Sequence, residues 1–182
     1  MTLTIYGDFN CPFSALASVR ADVLLAAGTH EIDWRAIQHD TTIPASGEPV
    51  DAEIAAALAA EIATILELSE HDLRLRLVVP PVLSNTALAS AAFAAAGDQA
   101  DRLRGRIFAA VWAEGRNLAN PIELRRLDAN GRDVATARRW QAEFGALPRP
   151  ITPTLVLPDG YVSRGLGAVA RLADLATAVS AS

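Results

Sequence analysis

The hydrophobic and polar positions of the chain change period several times, and each change marks an element. Leu3, Ile5 and Phe9 punctuate a short apolar segment rich in β-forming residues (Thr2, Thr4, Ile5, Tyr6) that ends at Gly7 and Asp8, which predicts a first strand. Phe13, Leu16, Ala17, Val19, Arg20, Val23, Leu24 and Ala27 then recur at helical spacing, and Gly28 supplies a stop. From His30 to Ile37 the period falls to two: Ile32, Trp34 and Ala36 share one face, and Glu31, Asp33 and Arg35 the other. The opening is therefore a βαβ unit. The run from Asp40 to Pro49 is polar, holds Pro44, Gly47 and Pro49, and reads as a loop leaving the sheet.

Residues 50–145 are almost wholly helical in pattern, with breaks at Pro80 and Pro81, Gly97 and Asp98, Asn117 to Pro121, and Asn130 and Gly131. Ser69 followed by Asp72, Ser84, and Asn120 before Pro121 are the expected helix caps. Beyond this block Ile151, Leu155, Val156 and Leu157 predict a short strand, Pro158 to Gly160 a hairpin turn, and Tyr161 to Ser163 its returning partner. Leu166, Val169, Leu172, Leu175 and Val179 then predict a closing amphipathic helix. The order βαβ, helices, ββα divides the chain into one domain of residues 1–49 and 146–182 and a helical subdomain inserted at 50–145.

Composition narrows the function classes. With 182 residues, 51% hydrophobic and 20% charged, the chain is long and apolar enough to bury a core without disulfide or metal. A net charge of −5 without a basic face argues against a nucleic-acid partner. No apolar run is long enough to span a membrane. The first ten residues show no basic n-region followed by an apolar stretch, so a cytoplasmic location is expected. His30, His39 and His71 show no paired spacing, and no metal site is expected.

The chemistry rests on Cys11, the only cysteine. It stands where the first helix begins, before Pro12, a residue suited to the first helical position. Free backbone N–H groups and the helix dipole at that point favour negative charge, which predicts a thiol pKa depressed to between about 3.5 and 7.5. Ser14 occupies the position of the second cysteine of a Cys-x-x-Cys pair. Its hydroxyl or N–H can donate to a thiolate but cannot attack a mixed disulfide. An internal dithiol cycle is excluded, and exchange, thiol transfer or thiol binding through one sulfur remain. Phe13 and Trp112 are candidates to line an apolar pocket, and Arg149 is either an anion-binding residue or an exposed loop arginine.

Three stretches, "DFNCPFSALAS", "VWAEGRNLANPIEL" and "ITPTLVLPDGYVSRGLGAVARL", resemble the DsbA family of thioredoxin-like proteins over nearly the whole chain. They look closest to the branch of FrnE-like oxidoreductases, kappa-class glutathione transferases and 2-hydroxychromene-2-carboxylate isomerases. The resemblance implies an α/β thioredoxin-like fold and a cis Pro153 that exposes the backbone of Thr152 to an extended thiol substrate. It also implies that Asn85 is aimed at the site from the insertion, although a helix cap is the other reading of that residue. The implied substrates are a protein disulfide or a small thiol, glutathione or another, as co-substrate rather than tightly bound cofactor, and homodimers occur among such relatives. Kappa-class and isomerase relatives carry Ser where Cys11 stands, and hold the glutamyl carboxylate with an acidic and basic pair where this chain has Gly167 and Ala168. The leading expectation is a thiol-disulfide oxidoreductase or isomerase with catalytic Cys11 and Ser14 and with Pro12, Phe13, Asn85, Thr152 and Pro153 binding the thiol. A small-thiol transferase, a chromene carboxylate isomerase and a non-catalytic thioredoxin-like binding protein are the alternatives.

Overall fold

The computed structural model describes residues 1–69 and 75–180. In chain order its elements are β1 (Thr2–Gly7), α1 (Pro12–Ala26), β2 (Glu31–Ala36), β3 (Glu48–Pro49), α2 (Ala52–Leu68), β4 (Val82–Leu83), α3 (Ala87–Ala94), α4 (Ala100–Trp112), α5 (Pro121–Arg126), α6 (Val134–Gly145), β5 (Thr154–Val156), β6 (Val162–Arg164) and α7 (Leu166–Ser180). A single 3₁₀ turn, Gly97–Gln99, leads into α4. The main sheet runs β2-β1-β5-β6. β1 pairs parallel with β2, from Thr2 opposite Glu31 to Gly7 opposite Ala36, and antiparallel with β5, while β5 and β6 form the closing hairpin. This is the expected mixed α/β, thioredoxin-like arrangement.

Alternation along β1 sends its side chains to two faces. Leu3 and Ile5 enter the main core with Leu16, Leu24, Trp34, Leu155 and Leu172, whereas Tyr6 packs with Ile37 and Phe144 in a smaller cluster under α6. α1 lies between the sheet and the α2, α4 and α7 helices and is buried on most sides. Its small residues Ser14, Ala15, Ala17, Ser18 and Ala21 let neighbouring elements approach closely. Gly7 is needed for the same reason: a Cβ there would lie 2.3 Å from Trp34 Cζ2.

Several local expectations are corrected. Ser84 does not open a helix; it follows β4, and its hydroxyl accepts the Leu118 N–H at 2.8 Å. Thr86 stands at the N-cap of α3 instead. Ser69 closes α2, donating to Leu66 O at 3.0 Å, and Asp72 and His71 lie outside the described residues. Asn120 does cap α5, accepting the Ile122 N–H at 3.0 Å, with Pro121 at the first position. β4 interrupts the block read as helical and pairs with β3, which lies just ahead of that block.

Candidate active site at the start of α1

The loop between β1 and α1 is built around a buried carboxylate. Asp8 is 3% exposed. Its Oδ1 accepts the Asn10 N–H and the Thr86 hydroxyl, each at 3.0 Å, and its Oδ2 accepts the His39 N–H at 2.8 Å. One side chain therefore joins the loop, the end of β2 and the start of α3. Asn10 extends the lock to the insertion, donating to Ser84 O at 2.5 Å and accepting the Ser84 N–H at 3.2 Å. The Cys11 N–H closes the turn on Asp8 O at 3.0 Å.

Cys11 follows with extended backbone at the N-cap of α1, and Pro12 takes the first helical position. The sulfur is half-buried and its thiol points to Thr152 O, 3.7 Å away. The Thr152–Pro153 bond is cis, and the Thr152 N–H has no hydrogen-bond partner among the described residues. Ser14, 0% exposed, sits one turn into α1, and its Oγ has no oxygen or nitrogen partner. The sulfur opens onto a cleft of about 470 Å³. Pro12, Phe13, Ile43, Leu58, Leu83, Ile151 and Leu166 give it apolar walls, and Asp8, Asn10, His39, Asp40 and Glu61 give it a polar side.

The electrostatics overturn the expected low pKa. Burial pushes the Cys11 thiol above the ordinary value and the nearby Asp8 charge adds to it, while Ser14 and Thr152 pull in the opposite direction without prevailing. The helix-end donors are present, but removing the sulfur from water outweighs them. Asp8 is itself raised by burial, against the three donors that favour its ionised form. Asp40, exposed at the rim, is held below its usual value by the N–H and hydroxyl of Thr42.

The structure brings together Cys11, Pro12, Phe13, Thr152 and the buried Ser14, with Pro153 following Thr152 in the chain. Asn85 stands apart: its amide donates to Ile43 O at 2.8 Å, its Oδ1 accepts the Ala87 N–H at 3.2 Å, and it does not line the cleft. The asparagine at the site is Asn10. Trp112 is also no pocket residue; it is 1% exposed in the core and donates to Phe9 O at 2.9 Å, supporting the loop from behind. Arg149 is an exposed loop residue with φ of 55°. Sequence reasoning missed Asp8, His39, Asp40, Ile43 and Glu61 as site residues; the position of Asp8 directly before the Cys-Pro turn was the one available signal. Among the described residues no cluster of His, Cys, Asp and Glu could hold a metal ion, and no helix is long and apolar enough to cross a membrane.

Comparison with known proteins places this geometry. A search of curated proteins finds no match by sequence. Among solved structures, a probable DsbA oxidoreductase from Streptomyces coelicolor superposes with a TM-score of 0.73 at 16% identity, covering 100% of this chain and 90% of that one. A 2-hydroxychromene-2-carboxylate isomerase gives 0.64 at 20% identity over 99% and 95% of the two chains. The cytosolic disulfide reductase DsbM from Pseudomonas aeruginosa, solved with GSH, gives 0.63 at 18% identity over 100% and 98%. At such identities the likeness concerns the fold. The family model of the DSBA-like thioredoxin domain matches residues 2–143, which include β1, the Cys-Pro turn and the helices up to most of α6, and the chain belongs to that family.

Proposed function

We propose that the protein is a cytoplasmic thiol-disulfide oxidoreductase or isomerase that works through the single thiol of Cys11. The observation that carries this reading is the placement of that sulfur: half-buried at the floor of an open cleft, against the Thr152 carbonyl, with the unpartnered Ser14 hydroxyl behind it. The free N–H of Thr152 adds a donor for an extended substrate backbone. A lone thiol suits a reducing compartment, where no internal disulfide is required.

The chemistry is two exchanges. The Cys11 thiol loses its proton to solvent, and the thiolate attacks one sulfur of a disulfide. That S–S bond breaks, a Cys11–substrate disulfide forms, and the electron pair leaves on the departing thiolate. A second thiolate from solution then attacks the mixed disulfide, releases Cys11 and carries the first group away as a new disulfide. Ser14 donates its hydroxyl to the sulfur while it is charged. Because burial raises the thiol pKa, the thiolate is a minor species at neutral pH, but a more basic thiolate is intrinsically more nucleophilic.

The test is intact-mass analysis after incubation with 2-hydroxyethyl disulfide. Wild type should gain one mixed-disulfide adduct that a small thiol removes, and Cys11→Ser should gain none. A wild-type protein that forms no adduct even at alkaline pH would end the proposal. A small-thiol transferase or chromene carboxylate isomerase is the second reading, favoured by the apolar wall of Phe13, Ile43, Leu58 and Leu83 facing the sulfur. It requires turnover of an aromatic substrate that depends on added thiol.

A further inference from the structure

The walls of the thiol cleft carry charge of one sign. Asp8, Asp40 and Glu61 all line it, and among the described lining residues there is no arginine; His39 is the single basic group. Arg149 and Arg164 lie close in sequence to the lining residues Ile151 and Gly165, yet neither reaches the cleft. Among the described residues none of the three carboxylates is neutralised by an ion pair. Asp8 is held by N–H and hydroxyl donors, Asp40 by Thr42, and Glu61 makes no hydrogen bond or salt bridge among the described residues. Anions are favoured by the two helix starts that line the cleft, α1 at Cys11 and α7 at Leu166, and by the unpaired Thr152 N–H, whereas the Gly165 N–H is taken by Pro153 O at 2.8 Å. A helix end is equivalent to roughly half a positive charge, against three carboxylates.

We infer that this cleft selects its disulfide by charge, accepting groups that are cationic or uncharged near the sulfur and disfavouring those that bring carboxylates, glutathione among them. The inference rests on the thiol-disulfide reading above. Each unit charge of an incoming group lies within one cleft of three like or unlike charges, a range at which salt does not screen fully. Glutathione brings two carboxylates, and the lining residues provide no cationic side chain for them beyond His39.

The experiment compares three disulfides: cystamine (cationic), 2-hydroxyethyl disulfide (neutral) and glutathione disulfide (anionic). The rate of Cys11 adduct formation is followed by mass and divided by the rate of the same disulfide with free 2-mercaptoethanol, which removes intrinsic reactivity. The expected order is cystamine, then the neutral disulfide, then glutathione disulfide, with about a tenfold span or more at low salt. The span should narrow in high salt and in the Asp40→Asn, Glu61→Gln double variant, both exposed positions whose substitution spares the core. Equal normalised rates, or glutathione disulfide reacting fastest, in a protein that does react with the neutral disulfide would overturn the charge selection and leave the thiol reading standing. Silence toward all three would overturn both.

Discussion

Replacing Ser14 with alanine separates the stability of the fold from the reactivity of its sulfur. The Ser14 hydroxyl is fully buried and has no oxygen or nitrogen partner while the thiol is protonated. A buried hydroxyl without a partner costs about 1–3 kcal/mol, and alanine is the better helix former by about half a kcal/mol. Against these gains stands the small void left by one oxygen atom. Ser14→Ala should therefore be neutral or more stable by up to about 1.5 kcal/mol in urea unfolding at neutral pH. The thiolate responds in the opposite sense. Once Cys11 ionises, the hydroxyl becomes a donor to a charged acceptor, a contact worth about 1.5–3 kcal/mol, and 1.36 kcal/mol is one pKa unit. The alkylation rate of Cys11 by iodoacetamide, followed against pH, should shift its midpoint up by about one unit or more. An unchanged midpoint would show that the hydroxyl does not face the sulfur; a variant destabilised by more than about 1 kcal/mol would show that it had a partner.

Other substitutions probe the surroundings of the site. The folded thiol pKa is raised, so Cys11 contributes stability that is present below the unfolded value of about 8.5 and lost as pH rises through the folded value. Wild type should lose stability across that alkaline window relative to Cys11→Ser, as measured by unfolding at a series of pH values, and parallel curves would contradict the burial argument. Gly7→Ala drives a Cβ into Trp34, which is 4% exposed and wedged against Phe108 at 5.7 Å, so it cannot yield. A loss of about 1–3 kcal/mol or more is expected in thermal or urea unfolding. Asn10→Ala removes both bonds to Ser84 and should cost about 1–3 kcal/mol while slowing adduct formation at Cys11; an exchange rate identical to wild type would mean that the lock does not hold the cleft in shape.

What could be read from the sequence was what repeats locally. The period-two run around Trp34, the helical spacing after Cys11 and the Asp159–Gly160 turn each correspond to an observed element, because one face of each is buried and the burial imposes its period on the residues. β3 and β4 were not legible: two residues each are too few to show a period, and their pairing joins segments more than thirty residues apart. The site divides in the same way. Cys11 and Pro12 announce themselves through adjacency, whereas Glu61 enters the cleft from α2, where nothing in the alanine-rich run around it marks it as a site residue. Asn85 was expected at the site and Asn10 was not singled out, for a related reason. Asn85 stands one residue ahead of the Thr86 cap and accepts the Ala87 N–H, and Asn10 faces Ser84 only because the chain folds back between β1 and β4.

The pKa of Cys11 shows why a local rule failed. The first turn of α1 does offer donors to the sulfur, and in isolation it would favour the thiolate. The same turn, however, is held in place by Asp8, whose carboxylate accepts from Asn10, Thr86 and His39 and cannot be withdrawn without releasing three elements at once. Burial does most to oppose negative charge on the sulfur, and the group that builds the loop adds to it. A bound group can alter this balance without altering the fold. A cation held between Asp40 and Glu61 would offset the Asp8 field and lower the thiol pKa at the moment of attack, whereas an anion would raise it further. Substrate charge therefore acts twice, on occupancy of the cleft and on ionisation of Cys11, and the preference for a cationic disulfide should be larger in the rate of exchange than in the affinity of a non-reactive amine for the same cleft.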